Sequence, residues 1–199
     1  NRDAAGYYSL WTAKAAFVNC TFYENKVIGG QRGGALNVNS GDLDVISCPI
    51  HKNDGKSMGG GIQIRTADAK VRIYNSVIAG NIATTAGMED IGYDNESAAR
   101  AVIRNSVVGA AVYDAGGSIA EGAQFDAATM FGSFGNNGGH TSTIALTGSD
   151  NPAVTGGMSA SELSALVKDT LVPAADAGLV TKDQTGADRS GRQMGACVR

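Results

Sequence analysis

The chain has 199 residues, a length typical of one domain. Lysine and arginine number 16 against 19 aspartates and glutamates, and the formal net charge of −3 excludes the strongly basic surface that binds nucleic acid. No apolar run reaches the roughly 18 residues of a membrane-spanning helix, so we expect no transmembrane segment. Glycine accounts for 28 residues but proline for only 3, which indicates structural turns rather than disorder.

A repeat fills the first 111 residues. The steps between the third positions of its four segments are 28, 28 and 30 residues. The segments are Phe17–Asn25, Val45–Asn53, Ile73–Asn81 and Ile103–Ala111. A glycine-led element lies between them, at Gly33–Val38 and Gly59–Ile64, with poorer copies at Gly6–Trp11 and Gly87–Ile91. Because a 28-residue unit cannot bury a core alone, the repeats must stack.

Apolar residues alternate within each repeat, as in Leu36/Val38 and Val71/Ile73, which is the period of a strand with one buried face. Glycine pairs mark the corners, where positive φ or close backbone approach is needed. The sequence therefore predicts an all-β fold, a parallel β-helix with a single repeat of about 28 residues in each coil.

Stacking predicts columns of equivalent residues. Two inward apolar columns are expected. One contains Phe17, Val45, Ile73 and Ile103, and the other contains Phe22, Ile50, Ile78 and Val108. A polar turn column of Asn19, Ser47, Asn75 and Asn105 is also expected, with amides that bond along the stack. Two outward columns are expected, Ala16, Asp44, Arg72, Val102 and Val18, Ile46, Tyr74, Arg104. The second is too apolar for solvent, so we expect the tail of the chain to cover it.

The repeat fades after Ala111, and we divide the chain into coils at residues 1–120 and a capping region at 121–199. Residues 124–157 are rich in small polar residues and predict ordered loops, anchored by Phe125, Met130, Phe131 and Phe134. One short α-helix follows. Ser159 and Glu162 form a predicted capping box, and Leu163, Leu166, Val167 and Leu171 keep helical spacing up to Pro173. The first coil has no equivalent cap, and we expect upstream coils or a partner chain there.

The string Tyr74–Asn81, the Glu89-Asp90-Ile91 element and the order of later motifs resemble the choice-of-anchor Q domain family. Those motifs are the Asn136–Thr141 loop, Asn151-Pro152-Ala153-Val154, Asp183-Gln184-Thr185-Gly186 and Gly195-Ala196. Gly33–Leu36 and Phe22–Asn25 are more distantly similar to the repeats of polymorphic outer-membrane adhesins. The resemblance implies a right-handed β-helix from a secreted or cell-surface bacterial protein, associated with the outer membrane or extracellular.

The best candidate for a catalytic cluster is Asp42, Asp44, Asp68, Lys70 and Arg72, near one corner of two successive coils. Carboxylates and a basic group at such a corner are the groups a polysaccharide lyase or glycoside hydrolase uses. Asp44 and Arg72 should be outward neighbours one coil apart. The competing interpretation is a surface ion pair and solvated turn carboxylates, contributing less than about 1 kcal/mol.

Tyr23 and Tyr74 are candidate sugar-stacking residues, with core or rim packing as the alternative. His51 is expected at an outward, variable position and His140 as a hydrogen bonder in a glycine-rich loop, so the sequence offers no zinc site. Calcium could bind Asp42, Asp54, Asp68 or Asp94 at the corners, although no calcium-binding repeat motif is present.

Cys20 and Cys48 share one repeat position, continued by Ser76 and Ser106. Their backbones lie within the range that a disulfide can bridge, but a column of free thiols is the simpler expectation.

The leading functional interpretation is a non-enzymatic, adhesin-like scaffold on the cell surface or secreted, which binds a glycan or another cell-surface ligand without a cofactor. One alternative is a carbohydrate-active enzyme whose site lies mainly in upstream coils. The other is a structural stalk that holds another domain away from the membrane.

Overall fold

The structure is a computed structural model and describes residues 5–30, 32–94, 101–109, 118–121 and 125–197. Its strands stack coil upon coil, which confirms the predicted parallel β-helix. The stacked strands are β1 Tyr7–Ser9, β2 Lys14–Val18, β3 Phe22–Tyr23, β4 Leu36–Val38, β5 Gly41–Ile46, β6 Pro49–His51, β7 Ile62–Ile64, β8 Ala69–Tyr74, β9 Val77–Ile78, β10 Ile91–Tyr93, β11 Ala101–Arg104, β12 Ser106–Val108 and β13 Ser118–Glu121.

Three parallel sheets form the walls of the solenoid. Sheet A contains β1, β4, β7 and β10, sheet B contains β2, β5, β8 and β11, and sheet C contains β3, β6, β9, β12 and β13. In sheet C, Phe22 pairs with Ile50, Ile50 with Ile78, and Ile78 with Val108. The predicted column is therefore confirmed. The last two residues of the fourth repeat segment, 110 and 111, lie outside the described residues.

The interior of the coils is a continuous aliphatic core. Both predicted inward columns contribute to it, and Ile50, Ile73 and Ile78 have no exposed surface. Each fully buried side chain of this size stabilises the fold by about 1.5 to 3 kcal/mol relative to an exposed one. Glycine is required where successive coils touch, because a Cβ at Gly34 would lie 2.2 Å from the carbonyl oxygen of Gly60.

The predicted polar turn column has the left-handed backbone that asparagine tolerates, with φ of 55° at Asn19 and 53° at Asn75. One of its amides bonds along the stack as predicted, since Asn75 Nδ2 donates to Ser47 Oγ at 2.9 Å. The amides of Asn19 and Asn105 donate to the tail instead. Asn19 Nδ2 donates to the carbonyls of Leu179 and Lys182, both at 2.8 Å. The column therefore fastens the tail to the solenoid.

A different asparagine column does bond along the stack. Asn25 Nδ2 donates to Asn53 Oδ1 at 2.8 Å, and Asn53 Nδ2 donates to Asn81 Oδ1 at 2.9 Å. Asn81 Nδ2 then donates to Asp90 Oδ1 at 2.7 Å. The backbone N–H of each asparagine donates to the same acceptor, at 3.0 Å in all three cases. We call Asn25, Asn53, Asn81 and Asp90 the asparagine ladder.

The described tail begins at Phe125 and contains more regular structure than the predicted loops and single helix. Its elements are α1 Ala127–Met130, β14 Phe131–Gly135, β15 Thr143–Leu146, α2 Pro152–Thr155, α3 Ala160–Leu166 and 3₁₀ helices at Val167–Asp169 and Ala174–Thr181. The capping box at Ser159 and Glu162 is confirmed. The α-helix ends at Leu166, so Leu171 lies beyond it.

The tail covers two outer faces of the solenoid. On sheet B, Ile46 and Tyr74 pack against α3 residues Leu163 and Leu166, which confirms the predicted cover. On sheet C, the antiparallel hairpin of β14 and β15 packs over Val77 and Val107. The molecule thus has one interior core and two outer cores, joined through the walls of the coils.

Candidate functional site

An aromatic groove lies between the outer face of sheet C and the hairpin. Tyr23 and His51 are partners on adjacent strands, β3 and β6, while Phe131 and Phe134 come from β14. The rings of Tyr23 and Phe134 stack with centroids 4.6 Å apart and planes 13° apart. The His51 and Phe131 rings lie 4.3 Å apart. Two pairs of rings therefore line one side of the groove.

The local sequence explains why four rings meet. In β3 and β6, Phe22 and Ile50 point inward, so the next residue of each strand points outward. In the hairpin, Phe131 pairs with Leu146 but Phe134 pairs with Ile144. Three steps on one strand against two on the other mark a bulge. A bulge re-aims side chains, and this brings both phenylalanines against the same sheet.

Polar groups are few and placed at the edge of the groove. Lys52, exposed and at a corner with φ of 56°, reaches back over Tyr23. Its Nζ donates to Tyr23 Oη at 3.3 Å and lies 5.5 Å from the ring centroid. The ammonium group therefore lies at the hydroxyl end of the Tyr23 ring, and this bond uses one of its three N–H donors.

His51 points outward from the solenoid, as the sequence predicts, but the hairpin covers it and leaves it 6% exposed. Its Nδ1 lies 2.8 Å from the carbonyl oxygen of Ala79. Because a carbonyl only accepts, Nδ1 carries the proton, and in the neutral ring Nε2 is an acceptor. Burial lowers the pKa of His51, opposed by the Ala79 hydrogen bond, so the ring is neutral at pH 7.

The groove has the size of a small-ligand site, with a volume of about 450 Å³. The residues that define it are Tyr23, His51, Lys52, Phe131, Gly132, Ser133 and Phe134. A second depression shares four of these residues and continues past Gly80 to Ala127 and Ala128. Together they form an elongated surface suited to a chain-like ligand.

A larger cavity, of about 600 Å³, lies at the end of the asparagine ladder beside Glu89, Asp90 and Asp126. Asp90 is 2% exposed and its Oδ1 receives both hydrogen bonds of Asn81. Its carboxylate is thus engaged in holding the coils together. We prefer the aromatic groove as the candidate site, because Phe134 is 44% exposed there and Lys52 is exposed at its edge.

The predicted pair Asp44 and Arg72 is present but lies under the tail. The two residues are register partners, and Arg72 Nε lies 2.5 Å from Asp44 Oδ1. The second oxygen, Oδ2, accepts from the backbone N–H of Leu171 at 2.5 Å. With the Asp44 side chain 0% exposed, this is neither the surface ion pair nor the open catalytic groove that the sequence suggested. The carboxylate anchors the tail.

The rest of the predicted cluster lies beside this pair. Asp42 and Lys70 are register partners two residues before Asp44 and Arg72 on β5 and β8, and Asp68 is exposed in the turn before β8. Tyr74 is 3% exposed beneath the tail, so its ring is not available to a ligand at the surface. Tyr23 does line the groove, and its role in binding stays a prediction.

Two of the four corner carboxylates considered for calcium, Asp54 and Asp94, pair with basic side chains. Asp54 lies 3.1 Å from Lys26 Nζ, and Asp94 pairs with Arg32 and Arg65. Among the described residues, no group of three or more His, Cys, Asp or Glu side chains is placed to hold a metal ion. Calcium binding therefore remains an expectation from the sequence.

His140 is exposed, and its side chain makes no hydrogen bond to another described residue. Asn137 organises that loop instead, donating to Thr143 Oγ1 at 2.9 Å.

The sequence did not identify Lys52 or the pairing of Phe134 with Tyr23 as parts of the aromatic groove. The sequence feature that could have indicated the groove is the outward position of Tyr23 and His51 on adjacent coils, combined with a tail that must cover part of the solenoid.

No protein-family model, curated protein or solved structure matches this chain. Within the described ranges, no helix is long and apolar enough to cross a membrane.

Proposed function

We propose that this chain is a non-enzymatic, secreted or cell-surface scaffold that binds carbohydrate in the aromatic groove. The β-solenoid is consistent with a scaffold that displays an extended binding face. We also propose that it is related to the choice-of-anchor Q family, on the strength of the motifs in the last coils and tail. The observation that carries the binding proposal is the stack of Tyr23 on Phe134 beside Lys52.

The chemistry of a sugar ring suits this arrangement. Pyranose rings present an apolar face of C–H groups, which packs on an aromatic surface, and a rim of hydroxyls that need hydrogen-bond partners. Phe134 is 44% exposed and supplies the surface. Lys52, which is exposed, supplies a hydrogen-bond donor at the edge of the groove. Pockets of this kind combine apolar walls with a few placed polar groups.

The test is retention of the whole chain on a glycan array of bacterial and host-cell glycans. We expect the parent to retain at least one glycan without shortening it. F134A is expected to weaken that binding about tenfold or more, as loss of an aromatic anchor does. W11A removes an aromatic side chain that is 81% exposed but outside the groove, and it should bind as the parent does.

Retention lost in W11A but kept in F134A would contradict the assigned groove. Absence of any retained glycan would contradict carbohydrate binding. A bound glycan that becomes shorter during incubation, measured by mass spectrometry, would contradict the non-enzymatic part of the proposal.

A further inference from the structure

Four small side chains form a column at the turn between sheets B and C. Each backbone N–H donates to the side chain of the next coil: Cys20 to Cys48 Sγ at 3.4 Å, Cys48 to Ser76 Oγ at 3.0 Å, and Ser76 to Ser106 Oγ at 3.1 Å. Each side chain also donates to the carbonyl two residues earlier. The four residues are therefore interchangeable parts of one ladder, and two of them are thiols.

The two thiols are direct neighbours. Val18 pairs with Ile46 before them and Phe22 with Ile50 after them, so the register of the coils places the cysteines opposite each other. Adjacent strands lie about 4.8 Å apart, inside the Cα separation that a disulfide spans. The backbone N–H of Cys20 donates to Cys48 Sγ at 3.4 Å, which places that sulfur beside Cys20. Both are free thiols in the structure.

We propose that Cys20 and Cys48 are a reversible dithiol–disulfide pair, which a small-molecule disulfide such as oxidised glutathione converts into a covalent link between the first two coils. The Cys20 thiolate attacks one sulfur of the reagent, forming a mixed disulfide and releasing one glutathione thiolate. Cys48 then loses its proton and attacks Cys20 Sγ, displacing the second glutathione thiolate. Two protein thiols are oxidised to one disulfide, and the reagent is reduced to two thiols.

Cys20 and Cys48 differ in exposure and in pKa, as expected for an attacking and a resolving thiol. Cys20 is only partly buried, and the hydrogen bond from Cys48 lowers its pKa to about 7, so a large fraction is thiolate at neutral pH. Cys48 has no exposed surface, and burial raises its pKa. Cys20 is therefore the attacking residue and Cys48 the resolving residue. Cys197 belongs to the tail, is 4% exposed and takes no part.

The experiment treats the whole reduced chain with oxidised glutathione and measures intact mass, followed by peptide mapping without reductant. We expect the parent and C197S to lose two hydrogens in mass and to yield a Cys20–Cys48 linked peptide. C48S should stop at a glutathione adduct on Cys20, and C20S should stay unmodified over the same period. Serine is a matched replacement, because Ser76 and Ser106 already occupy this position in the next two coils.

Several outcomes would overturn the proposal. They are a parent chain that stops at the glutathione adduct, a linked peptide that contains Cys197, a C48S variant that still loses two hydrogens, or a parent that does not react. Circular dichroism of each variant before oxidation verifies that the column is intact.

Discussion

The carboxylate of Asp44 joins three parts of the chain that are distant in sequence. It sits on β5, contacts Arg72 on β8, and accepts the N–H of Leu171, 127 residues further along. Burial opposes the charge of Arg72, but the Asp44 hydrogen bond and charge prevail and raise its pKa. Because both oxygens of Asp44 are engaged, the side chain acts as a structural anchor.

D44N tests that anchor. The amide has the same shape but no charge, so it removes the ion-pair partner of the partly buried Arg72 guanidinium. We expect the free energy of unfolding to fall by about 2 to 4 kcal/mol, somewhat less than the roughly 3 to 5 kcal/mol for a fully buried pair, because Arg72 is partly exposed and Asp42 also acts on it. D42N, in the neighbouring half-buried column, should cost less than about 0.5 kcal/mol. Urea denaturation measures both, and equal losses would contradict the assigned role.

The pairing of Asp44 with Arg72 could be predicted from the sequence, but the burial of Asp44 could not. A spacing of 28 residues puts the two side chains in one column. The backbone group that covers Asp44 comes from a segment after α3 with no periodic relation to the coils. The repeat length predicts which residues of neighbouring coils are partners, whereas contacts between the coils and the tail depend on how the tail packs.

The hairpin of β14 and β15 is held to sheet C by rings and apolar side chains, with neutral His51 at the contact. Phe131 lies on His51 on one side and meets Phe125 edge-on, with centroids 5.3 Å apart, on the other. A positive charge on His51 would be placed among these apolar groups. The docking of the hairpin should therefore depend on pH.

The direction of the pH dependence follows from the lowered pKa of His51. Burial is the main cause of the lowered pKa, and the charge of Lys52 acts in the same direction, whereas the Ala79 hydrogen bond and the charge of Glu24 oppose it. Below its ordinary value of 6.5, unfolded His51 takes up a proton before the folded residue does. The free energy of unfolding should therefore fall as pH decreases through 6.5 toward the folded pKa, and stay level in this respect above 6.5.

Urea denaturation between pH 7.5 and pH 5, values chosen to bracket the ordinary pKa of about 6.5, measures this slope. H51Q should flatten it, while H140Q, which replaces the exposed histidine, should keep the parent slope. A parent slope that survives H51Q would show that other groups control the pH dependence.

Among the secondary-structure elements, the strands of the coils were predicted from the sequence more completely than the helices and hairpin of the tail. Coil strands show alternating apolar residues, which is a local signal. The Phe131-Gly132-Ser133-Phe134 stretch does not alternate, because the bulge replaces the period of two. The aromatic groove depends on that bulge, so only Tyr23 among its residues was a predicted binding residue.

The whole molecule is a solenoid bound by its own tail. Arg189, 5% exposed, connects the two ends of the described chain: its Nη2 donates to Asn19 Oδ1 at 2.9 Å and to the carbonyl of Gly195 at 2.7 Å. Burial lowers the pKa of Arg189 to about 10. The apolar contacts of α3 on sheet B complete the attachment. Coils and tail should therefore unfold together.

L163D tests this cooperation. Leu163 is 1% exposed against Ile46 and Tyr74, so an aspartate there buries an unpaired charge. We expect a loss of more than about 3 kcal/mol in the free energy of unfolding, with new dye binding to the uncovered sheet. A165D places the same residue on the exposed side of the same helix and should cost under about 1 kcal/mol. Similar losses in the two variants would contradict the covering role of α3.

The overall architecture was largely predictable because one number, the repeat length, fixes the register of three sheets. The cover on sheet B was predictable too, since Ile46 and Tyr74 are outward and apolar. The cover on sheet C was not predicted, although Val77 and Val107 are outward and apolar there, because Tyr23 and His51 in the same sheet are compatible with solvent.

The asparagine ladder gives the solenoid a chemical polarity. An amide can pass a hydrogen bond onward, since it accepts through one atom and donates through another, whereas an ionised carboxylate only accepts. Asn25, Asn53 and Asn81 thus all donate in the direction of the later coils, and Asp90 ends the series by receiving both bonds of Asn81. Asp90 follows Asn81 by 9 residues, whereas the asparagines are 28 apart, so the series ends on an acid from outside the repeated position.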